Sequence, residues 1–314
     1  MRSSPLLKVV IAAAVAVPLG VGIKAASASD SPSARPAVVQ ALQAAPAQPF
    51  AVGSRQLALS RSSDRPLPTT VWYPATGTPV TGTARAGAAP AAGRFPIVLL
   101  SHGLHSLPSD LAAFGTRWAA AGFVVAAPAF PHTKRGTPSF DQSDMANQPA
   151  DGSYVISQVL ALNTTAGDPL AGHLNPDEIA ATGHSAGGYT TIGMLTAGRD
   201  NRLRAAIVLS GGRMGGAYTG SPIPLLFAHG DADPTVPYES GRAAYNALTW
   251  PKAFLTLIRG NHSSYLFPSG KGFNQVAATT TDFLRWTLYG DTTAQGRLAA
   301  DATAAGTSKW ESDF

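Results

Sequence analysis

Gly183-His184-Ser185-Ala186-Gly187-Gly188 lies between an expected strand, Glu178-Ile179-Ala180-Ala181-Thr182, and a stretch with helical spacing over 186–197. A serine hydroxyl is a poor nucleophile unless it is held exposed beside a base, and a sharp turn from strand into helix does the holding. Such a turn is strained and closely packed, so the positions two before and two after the serine must be small. Gly183 and Gly187 stand there. The helix that follows points its first N–H groups at developing negative charge. G-x-S-x-G alone arises by chance in Gly/Ser-rich chains. Its place between strand and helix makes Ser185 a candidate nucleophile rather than part of a plain turn.

Reading outward, a base and an acid are needed, in the order Ser, Asp, His for this architecture. Ala228-His229-Gly230-Asp231-Ala232-Asp233-Pro234 follows an apolar strand at 223–228. Asp233 is the candidate acid, with Asp231 as the alternative if it does not instead cap the turn. A metal reading of the Asp-x-Asp pair lacks the further oxygen ligands it needs. Gly260-Asn261-His262-Ser263 follows the next strand, 253–258, and His262 is the candidate base. His229 is its rival but precedes the acid; His132 either contacts substrate or faces water. Ser101-His102-Gly103-Leu104 closes the strand at 96–100. The backbone N–H of Leu104, with that of Ala186, would bind the oxygen of a tetrahedral intermediate.

Strands alternate with helices along this part of the chain. Helices are expected at 111–121, 154–162, 240–248 and 276–288, and further strands at 122–126 and 205–209. The alternation predicts an α/β fold: one mostly parallel sheet covered by helices on both faces, with ligands bound beyond the carboxyl ends of the strands. Two antiparallel strands, 55–60 and 69–73, precede it. The excursion 128–150, with its Pro, Lys, Arg, Ser and Asp, reads as a loop over the site. The catalytic domain spans 50–290, and 291–314 reads as a weakly ordered tail from which Trp310 and Phe314 are able to dock.

The 314 residues contain no cysteine, which excludes a disulfide scaffold and any Cys nucleophile or ligand. With 13% charged and 45% hydrophobic residues, disorder is excluded as well. Residues 1–28 read as a signal peptide: Arg2 and Lys8, an apolar run from Val9 to Ile23 broken by Pro18 and Gly20, and a small-residue cleavage site at Ala26-Ser27-Ala28. The alternative is an uncleaved membrane anchor, against which the run is short for a span of about 20 residues and is interrupted by helix breakers. Residues 29–49 read as a flexible leader. A secreted, extracellular protein is expected. Removing Arg2, Lys8 and Lys24 from the 23 basic residues leaves 20 against 18 acidic ones, so a nucleic-acid partner is not indicated.

Between about Arg65 and Leu288 the sequence resembles the α/β-hydrolase superfamily. Val71-Trp72-Tyr73-Pro74, Ser101-His102-Gly103, Asn147-Gln148-Pro149-Ala150-Asp151, the Ser185 segment and His229-Gly230-Asp231-Ala232-Asp233 look like bacterial esterases of the platelet-activating-factor acetylhydrolase-like and dienelactone-hydrolase-like group. Size and export also resemble secreted polyester hydrolases (cutinase-like). The resemblance implies ester hydrolysis through an acyl-enzyme without a cofactor, on a small or lipid-like ester or a polyester. Ser185, Asp233 and His262 match the family triad, and Leu104 and Ala186 the oxyanion positions. Dienelactone hydrolases use a cysteine nucleophile. Polyester hydrolases usually carry an aromatic residue at the Leu104 position, Met at the Ala186 position, a Trp after the strand following the elbow, and a C-terminal disulfide. A serine peptidase and a non-catalytic binding protein on the same fold are the remaining alternatives.

Overall fold

The computed structural model describes residues 43–314. The expected signal peptide and residues 29–42 of the leader lie outside the described residues. The continuous apolar runs form strands sealed on both faces. β4 (Phe95–Ser101) and β5 (Val124–Pro128) are buried at every position, which removes any pressure for polar alternation. β6 (Leu174–His184), β7 (Leu203–Leu209), β8 (Leu225–Gly230) and β9 (Lys252–Leu257) continue the parallel sheet. β1 (Ala51–Ser60) and β2 (Pro66–Ala75) form an antiparallel hairpin, to which β3 (Arg85–Ala86) adds two residues. With β10 (Ser308–Ser312) the sheet has ten strands in the order β10-β9-β8-β7-β6-β4-β5-β2-β1-β3.

Among the described residues six α-helices cover the sheet: α1 (Ala112–Ala120), α2 (Gln148–Leu162), α3 (Ala186–Gly193), α4 (Tyr238–Ala247), α5 (Phe273–Tyr289) and α6 (Thr292–Ala302). Successive residues of β4 face opposite layers, as the strand period of two demands. Ile97 and Leu99 belong to one core layer with Val155, Ile192 and Ala244 of α2, α3 and α4; Val98 and Leu100 belong to the other with Phe114, Phe283 and Leu298 of α1, α5 and α6. Both faces are therefore covered, as the α/β reading required.

The order of strands decides where a ligand can sit. From β4 the chain moves to β5 on one side and then returns to place β6 on the other. The helices that follow β4 and β6 lie on opposite faces. In open sheets of this kind ligands bind above the carboxyl ends of the two strands at such a switch. Ser101 and Ser185 belong to those two ends.

Two segments differ from expectation. The excursion 128–150 is only partly a surface loop: Phe130, Thr133, Asp144 and Gln148 are buried, as is Asp151 just after it. Arg65 of the β1–β2 hairpin donates to Asp144 at 2.7 Å and to Asp151 at 3.0 Å, and Arg61 donates to Asp151 at 2.7 Å. These charges read as solvent-facing in sequence because their partners lie some eighty residues away. The segment 291–314 is not weakly ordered. It forms α6, capped by Asp291, and then β10, which pairs antiparallel with β9. Trp310 and Phe314 dock, with Phe314 4.8 Å from the ring of Trp286. An added strand satisfies the backbone groups along β9, and only the tertiary pairing reveals that use.

Candidate active site

Ser185 has φ 57° and ψ −120°, a region that non-glycine residues rarely enter, and it sits between the last residue of β6 and the first of α3. Strain of this kind costs roughly 1–3 kcal/mol and persists only where packing dictates it. Here the packing is backbone on backbone. A Cβ on Gly183 would overlap the carbonyl of Gly187, and one on Gly187 would overlap the carbonyl of Ser101. The two glycines are thus required by close approach, since neither has a positive φ. Three other non-glycine residues have positive φ among the described residues: His105, Ser210 and Arg259. All follow the carboxyl ends of parallel strands, so the strain collects along one rim.

On that rim Asp233 and His262 meet. Nδ1 of His262 lies 2.7 Å from Oδ2 of Asp233. Oδ1 of Asp233 accepts the N–H groups of Thr235 at 2.8 Å and Val236 at 3.0 Å. Burial alone would raise the Asp233 carboxyl; the bonds from His262 and the two amides outweigh it and hold the group below the usual carboxylate range. The rivals fall elsewhere. Asp231 accepts the N–H of Arg259 and shapes the turn. His229 also approaches Asp233, at 3.2 Å, but is buried and bonds through Nε2 to the Val236 carbonyl at 2.9 Å. His132 bonds to Ser139 Oγ at 3.0 Å.

His184, directly before Ser185, ties the Ser185 turn to the His262 loop. Its Nε2–H donates to the His262 carbonyl at 2.8 Å, and the two rings lie 4.7 Å apart. Burial pushes its pKa down to about 3, so it is a neutral donor. Tyr265 fastens the same loop to the end of β7 by donating to Ser210 Oγ at 2.8 Å. Ser185, His262 and Asp233 therefore come from three strand ends held against one another.

The loop after β4 is held as firmly. His102 is buried and kept neutral, its pKa lowered to about 4 by burial. Its Nδ1–H donates to the Gly103 carbonyl at 2.7 Å, while Nε2 accepts the N–H of Phe130 at 3.0 Å. On the far side, the N–H of His105 donates to Thr133 at 2.8 Å. The peptide unit carrying the Leu104 N–H is thus fixed from both ends, and that N–H has no partner among the described residues. Ala186 opens α3 without a side-chain cap, which leaves its N–H free as well. None of these supports was evident in the sequence, apart from the presence of His102 and His184 in the quoted motifs. Phe140 was also missed: it stacks on His105 with ring centroids 4.0 Å apart and stays exposed. A cavity of about 600 Å³ lined by Phe50, Ala113 and Phe273 lies away from this rim.

A strained serine at a strand–helix turn, a carboxylate–imidazole pair and two free amides are the equipment of acyl transfer. Comparison with protein families finds a match over residues 26–305 to the family described as PETase, PET hydrolase-like. The chain belongs to the PET hydrolase-like family. No curated protein matches it. The PET hydrolase-like proteins are α/β hydrolases, in agreement with the sheet described above, and the match falls on the polyester-hydrolase part of the resemblance. Membership in this PET hydrolase-like family makes an ester or polyester the substrate class.

Proposed function

We propose that this chain is a secreted serine hydrolase of carboxylic esters, acting through Ser185, His262 and Asp233. The observation that carries the reading is the 2.7 Å Asp233–His262 bond on the loop that His184 clasps to the Ser185 turn. In this mechanism His262 takes the proton of Ser185 as the hydroxyl attacks the ester carbonyl. Asp233 fixes the imidazole tautomer and stabilises its cation. The N–H groups of Leu104 and Ala186 receive the oxyanion. His262 then protonates the leaving alcohol, and later activates the water that cleaves the acyl-enzyme. Proton transfer supplies roughly 10²–10⁴ of the acceleration, and positioning with electrostatics supplies the rest.

A polyester is the second substrate reading, favoured by the family match. The rim carries an exposed phenyl ring, Phe140, stacked beside the Leu104 loop, while Leu104 itself supplies no aromatic face. Soft aliphatic polyesters fit that surface. The test is a series of p-nitrophenyl esters of increasing chain length run beside an emulsified polyester film. Ser185→Ala is expected to lose all detectable turnover on both while keeping its thermal transition. Near-normal turnover in that variant would remove Ser185 from the role.

A further inference from the structure

The oxyanion amides belong to two different strand ends, and the sheet does not connect them. The β4–β6 ladder stops at the pair Ser101–Gly183; Leu104 and Ala186 both lie beyond it. Such a hole works only when its donors stand about 2.7–3.1 Å from the position of the developing oxyanion before reaction begins. The close approach of Gly187 to the Ser101 carbonyl sets part of their spacing, and side-chain contacts are left to set the rest.

Thr133, Gln148 and Thr190 supply one. All three are fully buried polar side chains from separate elements: the excursion after β5, the start of α2, and the second turn of α3. Thr190 Oγ1 donates to Gln148 Oε1 at 2.6 Å, and Gln148 Nε2 donates to Thr133 Oγ1 at 2.7 Å. At one end, Thr190 Oγ1 also lies 2.9 Å from the carbonyl oxygen of Ala186. At the other, the Thr133 carbonyl receives the N–H of His105, next to Leu104. Through the residues Thr190 and Thr133 these contacts link the first turn of α3, which begins with Ala186, to the neighbour of Leu104. A buried amide is costly unless every partner is in place, so such a network has one geometry rather than several. Filling the same space with apolar atoms would hold the core together without dictating that geometry.

We propose that Gln148 is a positioning residue that sets the separation of the Leu104 and Ala186 amides by bridging Thr133 and Thr190. This rests on the serine-hydrolase reading above and adds a residue that touches neither substrate nor triad. It predicts that weakening the bridge harms the transition state more than substrate binding. The experiment is steady-state hydrolysis of p-nitrophenyl butyrate by the full chain, with inhibition by phenylboronic acid, whose serine adduct places a tetrahedral oxygen in the hole. For Gln148→Met, kcat is expected to fall roughly 10- to 100-fold, less than the loss of a whole donor, with KM within about twofold. The inhibition constant of the boronic acid should rise in step with the fall in kcat/KM. Gln148→Glu should recover activity toward acid pH, relative to wild type, because the protonated side chain keeps one donor and one acceptor. Thr133→Ala removes the far partner with less change in volume and should reproduce the split. Unchanged kcat in Gln148→Met, a fall in kcat without weaker boronate binding, or failure of both Gln148→Met and Thr133→Ala to fold would overturn the assignment. If the wild type is active, Ser185→Ala is inactive and Gln148→Met behaves as wild type, only this inference fails.

Discussion

At Asp233 one carboxylate accepts an imidazole N–H and two backbone amides, which keeps it ionised through mild acid. A fall in activity on mild acidification is therefore not expected from loss of the Asp233 charge. Asp233→Asn preserves the shape but presents the wrong partner to Nδ1, and kcat is expected to drop roughly 10⁴-fold with little change in folding. Kinetics at neutral pH with a parallel thermal melt check this; a drop below tenfold would assign the orienting role elsewhere. The residue scale is also where the sequence was most legible. Gly183, Ser185 and Gly187 declare themselves because a strained turn tolerates few residue types. The choice of His262 over His229 does not depend on type, since both are histidines within reach of Asp233. It depends on which ring stays partly open and which is buried against the Val236 carbonyl.

Among the elements, the hairpin β1–β2 is fastened to the excursion and α2 by Arg65, which bridges Asp144 and Asp151. The usefulness of this bridge lies less in its net energy than in what its loss leaves behind. Arg65→Met would leave Asp144 without its ion-pair partner and Asp151 with Arg61 alone, and both carboxylates are almost wholly buried. The expected cost is about 3–5 kcal/mol of stability, read from urea denaturation, while the double replacement of both aspartates by Asn in the Arg65→Met background should recover part of it. An equal loss in both proteins would show that the charges are not the cause. Element positions were legible where periodicity is strong, as in β4 to β9. The ends were not: α3 stops at Gly193, and β6 starts at Leu174, because these limits are fixed by packing and pairing with distant chain. The order of 291–314 was hidden for the same reason. Its short, mixed sequence becomes a strand only against the open edge of β9.

For the molecule as a whole, ionisable groups also set how stability varies with pH. Glu178 lies in β6 and is half-buried; burial pushes its carboxyl up to about 7, against which nearby Arg204 acts in the opposite sense. The folded chain binds this proton more tightly than the unfolded one, so the contribution is favourable in acid. It is lost as pH rises from the ordinary glutamate value to about 7. Glu178→Gln removes that dependence. It should stabilise the protein by about 1 kcal/mol at pH 8, after allowance for solvent screening, and by almost nothing at pH 4. Denaturation curves at the two pH values test it; a gain that is equal at both would point to packing.

By itself the sequence determined the alternation of strands and helices, the strained serine turn, and the order in which serine, acid and base occur. Those features rest on local physics: side-chain period, the backbone freedom of glycine, and the connection of each strand to the next helix. The tertiary structure alone decided which imidazole meets Asp233, how His102 and Thr133 grip the Leu104 peptide, and what the last two dozen residues become. Most of these are contacts between groups dozens of positions apart in the chain, and their distances exist only once the sheet has folded.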